Sequence, residues 1–334
     1  MCRIIFILLG LIVFSSCSVD RREGGRLGNE YIKVHRYDRL EYEAAMFNSM
    51  LAMQRMNTEW SHATRLLMED VLDLGPVDQP DINGKFCAYF NDSILVALMK
   101  DVDVEYRDLS DIEDDLTDGF AKLEKEIPFL PVPRVYSQIS ALNQSVVVSD
   151  SILGISLDKY MGADYPLYKR YYYPNQRRFM SRDRIVPDCF TFYLLGQYPF
   201  RWEESHRTLF DLLMHRGLVA WIVDKILGSD KPGKISLGYT DEEVKWCRDN
   251  REELWKWMSE SHYLLSTDPM VIRSYISPDV SVNWKDRQLP PSIGVWMGIC
   301  LIDRFIGNHK DLSWKVLLER ADFREILLQE KDVF

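Results

Sequence analysis

Long apolar runs are missing from this 334-residue chain. Its most apolar stretch, Ile4–Phe14, is shorter than the ~20 residues a membrane-spanning helix needs. Basic blocks are missing too. A formal net charge of −10 and a pI near 5.2 speak against nucleic acid as a partner and against direct attraction to anionic lipid surfaces. There is no internal repeat, no low-complexity tract and no dividing linker after Asn29, which leaves 30–334 to be read as one domain. The catalytic signatures that can be read locally are also missing: no G-x-S-x-G elbow, no Walker loop, no G-x-G-x-x-G. Six histidines occur, none in H-E-x-x-H. His206 and His215 are nine apart, about 2.5 helical turns, so they face nearly opposite sides. Cysteine is scarce and never forms CxxC. Cys87, Cys189, Cys247 and Cys300 remain once the N-terminal pair is set aside, and free thiols or a disulfide are both open.

What is present begins with an address. Arg3, the apolar run and Ser15-Ser16-Cys17 make a charged n-region, an h-region and small residues before a cleavage point. Small residues directly before a cysteine resemble the lipobox of bacterial lipoproteins. That resemblance implies removal of residues 1–16, acylation of Cys17 and anchoring in a lipid bilayer. Phe14 stands where the motif usually has Leu. Residues 17–29 read as a flexible polar, Gly-rich tether. Arg21 and Arg22 make it unlike acidic surface-export tethers, so an outer-membrane anchor facing the periplasm is expected.

The body of the chain reads as α+β, mostly α-helical, with a small antiparallel sheet. Helices are expected over about 38–56, 58–74, 86–100 and 182–195, and through the acid-rich stretch to about Glu126. Three prolines, Pro128, Pro131 and Pro133, then start extended chain. Val135–Ile139 and Ser145–Val148 suggest a hairpin across Leu142-Asn143, with Ile152–Leu157 as a third strand. The centre is Arg207–Leu227, which is apolar all round from Leu218 to Val223 and therefore buried on several sides. Thr240–Glu243 is a capping-box start, and Ile293–Ile306 is a second buried helix.

Three clusters invite a chemical reading. Asp101–Asp118 is dense in acid, but a calcium loop starting at Asp101 would put Gly at Tyr106 and Glu at Ile112, so a solvated face is expected. Tyr165–Arg178 interleaves tyrosines with basic residues, which could bind glycan or simply pack on the core. Carboxylates are plentiful enough for a hydrolase pair assembled from distant segments, which would show as a deep pocket with paired acids or a perturbed histidine.

Five stretches together resemble the gliding motility lipoprotein family GldB of Bacteroidota. They are IKVHRYD at 32–38, SDSILGISLDKYMGADYPLY at 149–168, TLFDLLMHRGLVAW at 208–221, GYTDEEVKWCRDNREELWKWM at 238–258 and IGVWMGICLIDRFI at 293–306. The resemblance implies a membrane-anchored lipoprotein linked to gliding and secretion machinery, with envelope proteins as partners. The family is similar to predicted zinc peptidases, which implies a zincin-like scaffold. Here H-E-x-x-H is missing, and Arg216-Gly217 stands nearest to the Glu-Gly of the third metal ligand. An arginine repels Zn²⁺ and does not deprotonate to bind it. The expectation is thus an inactive peptidase-like scaffold with no catalytic residue, metal or cofactor, and with a candidate pocket near His206, His215 and Arg216. Asp92-Ser93-Ile94 and Asp150-Ser151-Ile152 also resemble the O-glycosylation tripeptide of this phylum, making Ser93 and Ser151 candidate sites.

Overall fold

The computed structural model describes residues 31–149, 151–200, 207–309, 311–319 and Phe323. The stretches expected to be leader and tether, with Cys17, and also His206 lie outside the described residues.

A two-residue strand, β1 (His35–Arg36), leads into α1 (Tyr37–Phe47) and α2 (Met50–Glu59). The one helix expected here is two. Asn48 takes a left-handed φ of 49°, and the Ser49 hydroxyl accepts from Ala52 N to start the next helix. Asp38 sits in the first turn of α1, paired with Arg36 at 2.7 Å. α3 (Ser61–Arg65) runs into a π-helical turn over Leu66–Val71. The next expected helix is also two, α4 (Ile82–Tyr89) and α5 (Ser93–Glu105), because Asp92 caps Ile94 N at 2.8 Å. α6 (Ser110–Glu126) carries most of the acids. Several of these are tied: Asp111 to Arg182 at 2.6 Å, Asp103 to Arg39 at 3.5 Å, and Asp108 to Ser110 N at 3.0 Å.

The sheet corrects the sequence reading. β2 (Arg134–Gln138), β3 (Val146–Val148) and β4 (Ile152–Ser156) join β1 in the order β1-β2-β4-β3. β1 and β4 both run parallel to β2, and only β3–β4 is antiparallel, so the sheet is mixed. The expected hairpin between β2 and β3 does not form. Buried carboxylates pin the intervening loop instead. Glu41 accepts from Ile139 N at 2.9 Å, and Asp158 accepts from Ser140 N at 2.9 Å and Leu142 N at 2.6 Å. Ala141 and Leu142 turn through φ of 51° and 67°, and β3 comes to rest on the far edge of β4. β4 is buried at all five positions, as a strand covered on both faces must be.

α7 (Pro166–Tyr171), α8 (Pro174–Arg177) and α9 (Ile185–Gln197) follow the sheet. α10 (Leu209–Ile226) is the centre; 16 of its 18 residues are buried. Thr208 and Asp211 cap its start reciprocally. α11 (Asp241–Asp249) starts at the expected Thr240–Glu243 box and is followed by α12 (Arg251–Glu260) and α13 (Pro269–Ile276). A hairpin of β5 (Asn283–Trp284) and β6 (Arg287–Gln288) leads to α14 (Ile293–Asn308), and α15 (Trp314–Leu318) comes last.

α14 packs on α10 almost backbone to backbone. A Cβ at Gly217 would lie 2.5 Å from the Gly298 carbonyl carbon, and one at Gly298 would collide with the Leu213 carbonyl. Gly217 thus has a packing reason of its own. One apolar core extends from Ile32 to Phe323. All four described cysteines are free thiols.

Candidate binding cavity

α10 has one exposed position, Arg216. It opens into a cavity of about 320 Å³ between α9, α10 and the start of α14. Volume of that order lies at the low end of small-molecule sites. The walls are mainly apolar, with Met180, Phe192, Val219, Leu237, Ile276 and Val295 among them. Lys159, Arg184, Arg216 and Asp188 supply the charge.

Each wall is held in place by chemistry that can be traced. The segment after α10 is clamped from two sides. Asp224 accepts from Gly233 N at 2.7 Å, Ile235 N at 3.1 Å and Ser236 N at 2.8 Å. From the other side Arg184 donates to the carbonyls of Ile235 and Ser236. Tyr239 donates to Pro291 O at 2.6 Å and Trp296 to Pro232 O at 3.2 Å, which ties that segment to the start of α14. Lys159 is held by neutral oxygens, Leu142 O and the Tyr172 hydroxyl, each at 3.1 Å, with its ammonium over the Tyr172 ring at 4.7 Å.

The charges do not balance. Asp188 is the cavity's one carboxylate among the described residues, and it is engaged: Arg184 pairs with one oxygen at 3.0 Å and Tyr160 donates to the other at 3.0 Å. Burial raises its pKa, opposed by Arg184. Arg216 forms neither an ion pair nor a hydrogen bond with the described residues. Protein crowds the guanidinium even though solvent in the concavity reaches it; that burial, and Arg207, hold its pKa below the ordinary arginine value. It remains a cation at neutral pH. The start of α14 adds to the positive side, since no side chain caps it and its N–H groups carry the positive end of a 16-residue helix.

A larger groove of about 790 Å³ lies beside it, lined by Asp111, Asp115, Arg182 and Lys234 among others. It is less suited to a ligand because much of its charge is already spent internally, Asp111 on Arg182 at 2.6 Å and Lys234 on Asp241 at 3.2 Å.

The candidates from sequence separate. Arg216 lines the cavity and His215 does not. His215 Nε2 donates to Tyr198 O at 2.8 Å and its ring packs on Phe200 at 5.4 Å. Burial, then Arg216 and Arg207, lower its pKa, so it is neutral at pH 7. It is a histidine of perturbed pKa, yet it serves the packing of α10. Ser93 and Ser151 are both exposed. The tyrosine patch is divided: Tyr168 is buried, Tyr165 bonds Asp101 at 2.8 Å, Tyr172 faces Lys159, and Tyr171 and Tyr173 reach solvent. Three of its cations are occupied, Arg177 on Ala163 O, Arg178 on Glu243 and Lys169 on Asp164, while Arg170 is exposed. No group of three or more metal-ligating side chains converges among the described residues. Lys159, Arg184 and Asp188 were not anticipated as a site. The available signals were Arg184 and Asp188 four apart at the start of an apolar helix, and a lysine closing the LGISLDK stretch.

Fold and cavity together define a mostly helical α+β protein with a cation-lined pocket against its central helix. The chain matches the family model of the gliding motility protein GldB over residues 28–331 and belongs to that family. This is a family of gliding-motility lipoproteins, which associates the chain with the envelope. No curated protein and no solved structure matches it. None of the described helices is long and apolar enough to cross a membrane.

Proposed function

We propose that this protein is a non-catalytic, lipid-anchored component of a gliding or secretion-related envelope complex, and that it acts by binding. The anchor in this reading is acylated Cys17 in the outer membrane, with the folded part in the periplasm. The observation that carries the reading is the cavity's charge: it presents Arg216 and two further cations where a metallohydrolase would present acids and imidazoles. Its one described carboxylate is already shared between Arg184 and Tyr160, and His215 points elsewhere. The other buried carboxylates, Glu41, Asp158 and Asp224, hold backbone N–H groups, which is scaffold work. Ser93 and Ser151, being exposed, stay available as O-glycosylation sites in this reading.

The test is metal content and turnover of the full-length protein, purified without a histidine tag or chelator. Little zinc is expected, and no cleavage of peptide or glycan substrates when zinc is added. Zinc near about one equivalent, with hydrolysis that depends on it, would sink the proposal.

A further inference from the structure

A cation crowded by protein on most sides is normally paired even where solvent still reaches it, because an uncompensated charge that has lost part of its water is costly. Around this cavity the rule is broken in one direction only. Arg216 has no partner among the described residues, Lys159 has only neutral ones, and Arg184 keeps a buried Nε–H with no acceptor. The uncapped start of α14 contributes further donors. All this sits in a chain whose net charge is −10. The remaining wall is apolar and aromatic, so a hydrated inorganic ion would leave most of it unfilled.

We propose that the cavity between α9, α10 and α14 binds a small amphiphile: an apolar body of roughly a dozen non-hydrogen atoms carrying a single carboxylate or phosphate head. The head lies against Arg216, whose planar fork matches the oxygens of either group, with the α14 N-terminus beside it. The body lies along Phe192, Val219, Leu237 and Val295. This inference rests on the reading of a binding protein and gives its ligand a chemical class.

The experiment is calorimetry and saturation-transfer NMR on full-length protein in lipid nanodiscs, with empty nanodiscs subtracted. The probes are 5-phenylvalerate, 3-phenylpropyl phosphate, the neutral 5-phenylvaleramide, and inorganic phosphate alone. Saturable binding of either anionic amphiphile is expected, with the better of the two identifying the head. The amide should bind at least about tenfold more weakly, since it forfeits a charge-assisted hydrogen bond. Arg216→Gln should lose about as much, with Arg216→Lys between. Phe192→Asp changes an exposed ring at the cavity and keeps the test open if Arg216→Gln fails to fold; its added carboxylate should repel the head. Equal binding of amide and acid, unchanged affinity in well-folded Arg216→Gln, or no saturable binding would each overturn the proposal. Inorganic phosphate binding as tightly as the amphiphiles would overturn the apolar part. Cleavage of the phosphate ester would leave the site standing and refute the non-catalytic reading, so the two fail separately.

Discussion

Two regions of this molecule handle buried charge in opposite ways. Beneath the loop that follows β2, Glu41 and Asp158 are fully buried carboxylates, and both accept backbone N–H groups from 139–142. Across the central helix, Arg216 faces a cavity whose one described carboxylate, Asp188, is already engaged by Arg184 and Tyr160. The first arrangement is closed: charge or proton, it is used to hold a turn that carries β3 over to β4. The second is open, because no described carboxylate is left free to complete it. The difference separates scaffold from site more sharply than residue type does, since both regions are built from ordinary acids and bases. Solvent access follows the same line. The carboxylates are sealed from water, whereas Arg216 is the one exposed position of α10.

The comparison breaks most visibly on the closed side. Asp158→Ala removes the acceptor of Ser140 N, Leu142 N and the Ser140 hydroxyl at once. Buried donors left without partners predict a loss of about 3 kcal/mol or more, read by urea unfolding. A change under 1 kcal/mol would mean the loop holds itself up by other means, and the closed region would lose its meaning. Next in size is Gly217→Ala, beside Arg216. The added methyl meets the Gly298 backbone, so α10 and α14 must part, at a cost of about 2 kcal/mol. Because the start of α14 borders the cavity, anion binding should weaken in the same variant, although no ligand-facing side chain has changed.

How much of this was legible in the sequence follows from the range of each force. Helix content, the capping box at Thr240 and the burial of α10 depend on neighbours within a few turns, and those readings agree with the structure. Breaks at Asn48-Ser49 and Asn91-Asp92 were missed because apolar periodicity continues across them, although each carries a residue suited to capping. The sheet order was out of reach. Whether β3 pairs with β2 or β4 is decided by Glu41 and Asp158, which lie 98 and 18 residues from their partners. Arg216 was visible only through its misfit to a peptidase motif. Its companions come from two other places in the chain, Lys159 from one and Arg184 with Asp188 from another, and only the fold brings them to one cavity.

The two smallest predictions compare the regions directly. Glu41 has a folded pKa raised well above the ordinary value, chiefly by burial. The native state therefore holds a proton that the unfolded chain releases from about pH 4 upward, and stability falls as pH rises toward the folded pKa. The slope from this one group is at most about 1.4 kcal/mol per pH unit. Glu41→Gln keeps an acceptor for Ile139 N and removes the titration, so its pH–stability profile between pH 5 and pH 8 should be flatter than that of the parent, as measured by chemical unfolding at each pH. An unchanged profile would mean the carboxylate is already charged in the native state over this range. Arg216→Gln should do the reverse of Asp158→Ala. Removing a cation that has no partner among the described residues should leave stability unchanged or raise it by up to about 0.5 kcal/mol, while anion binding is lost. Residues kept for a ligand at the expense of the fold behave in this way, and residues kept for the fold do not. A loss of stability comparable with that of Asp158→Ala would place Arg216 among the structural charges, and the contrast between the two regions would collapse.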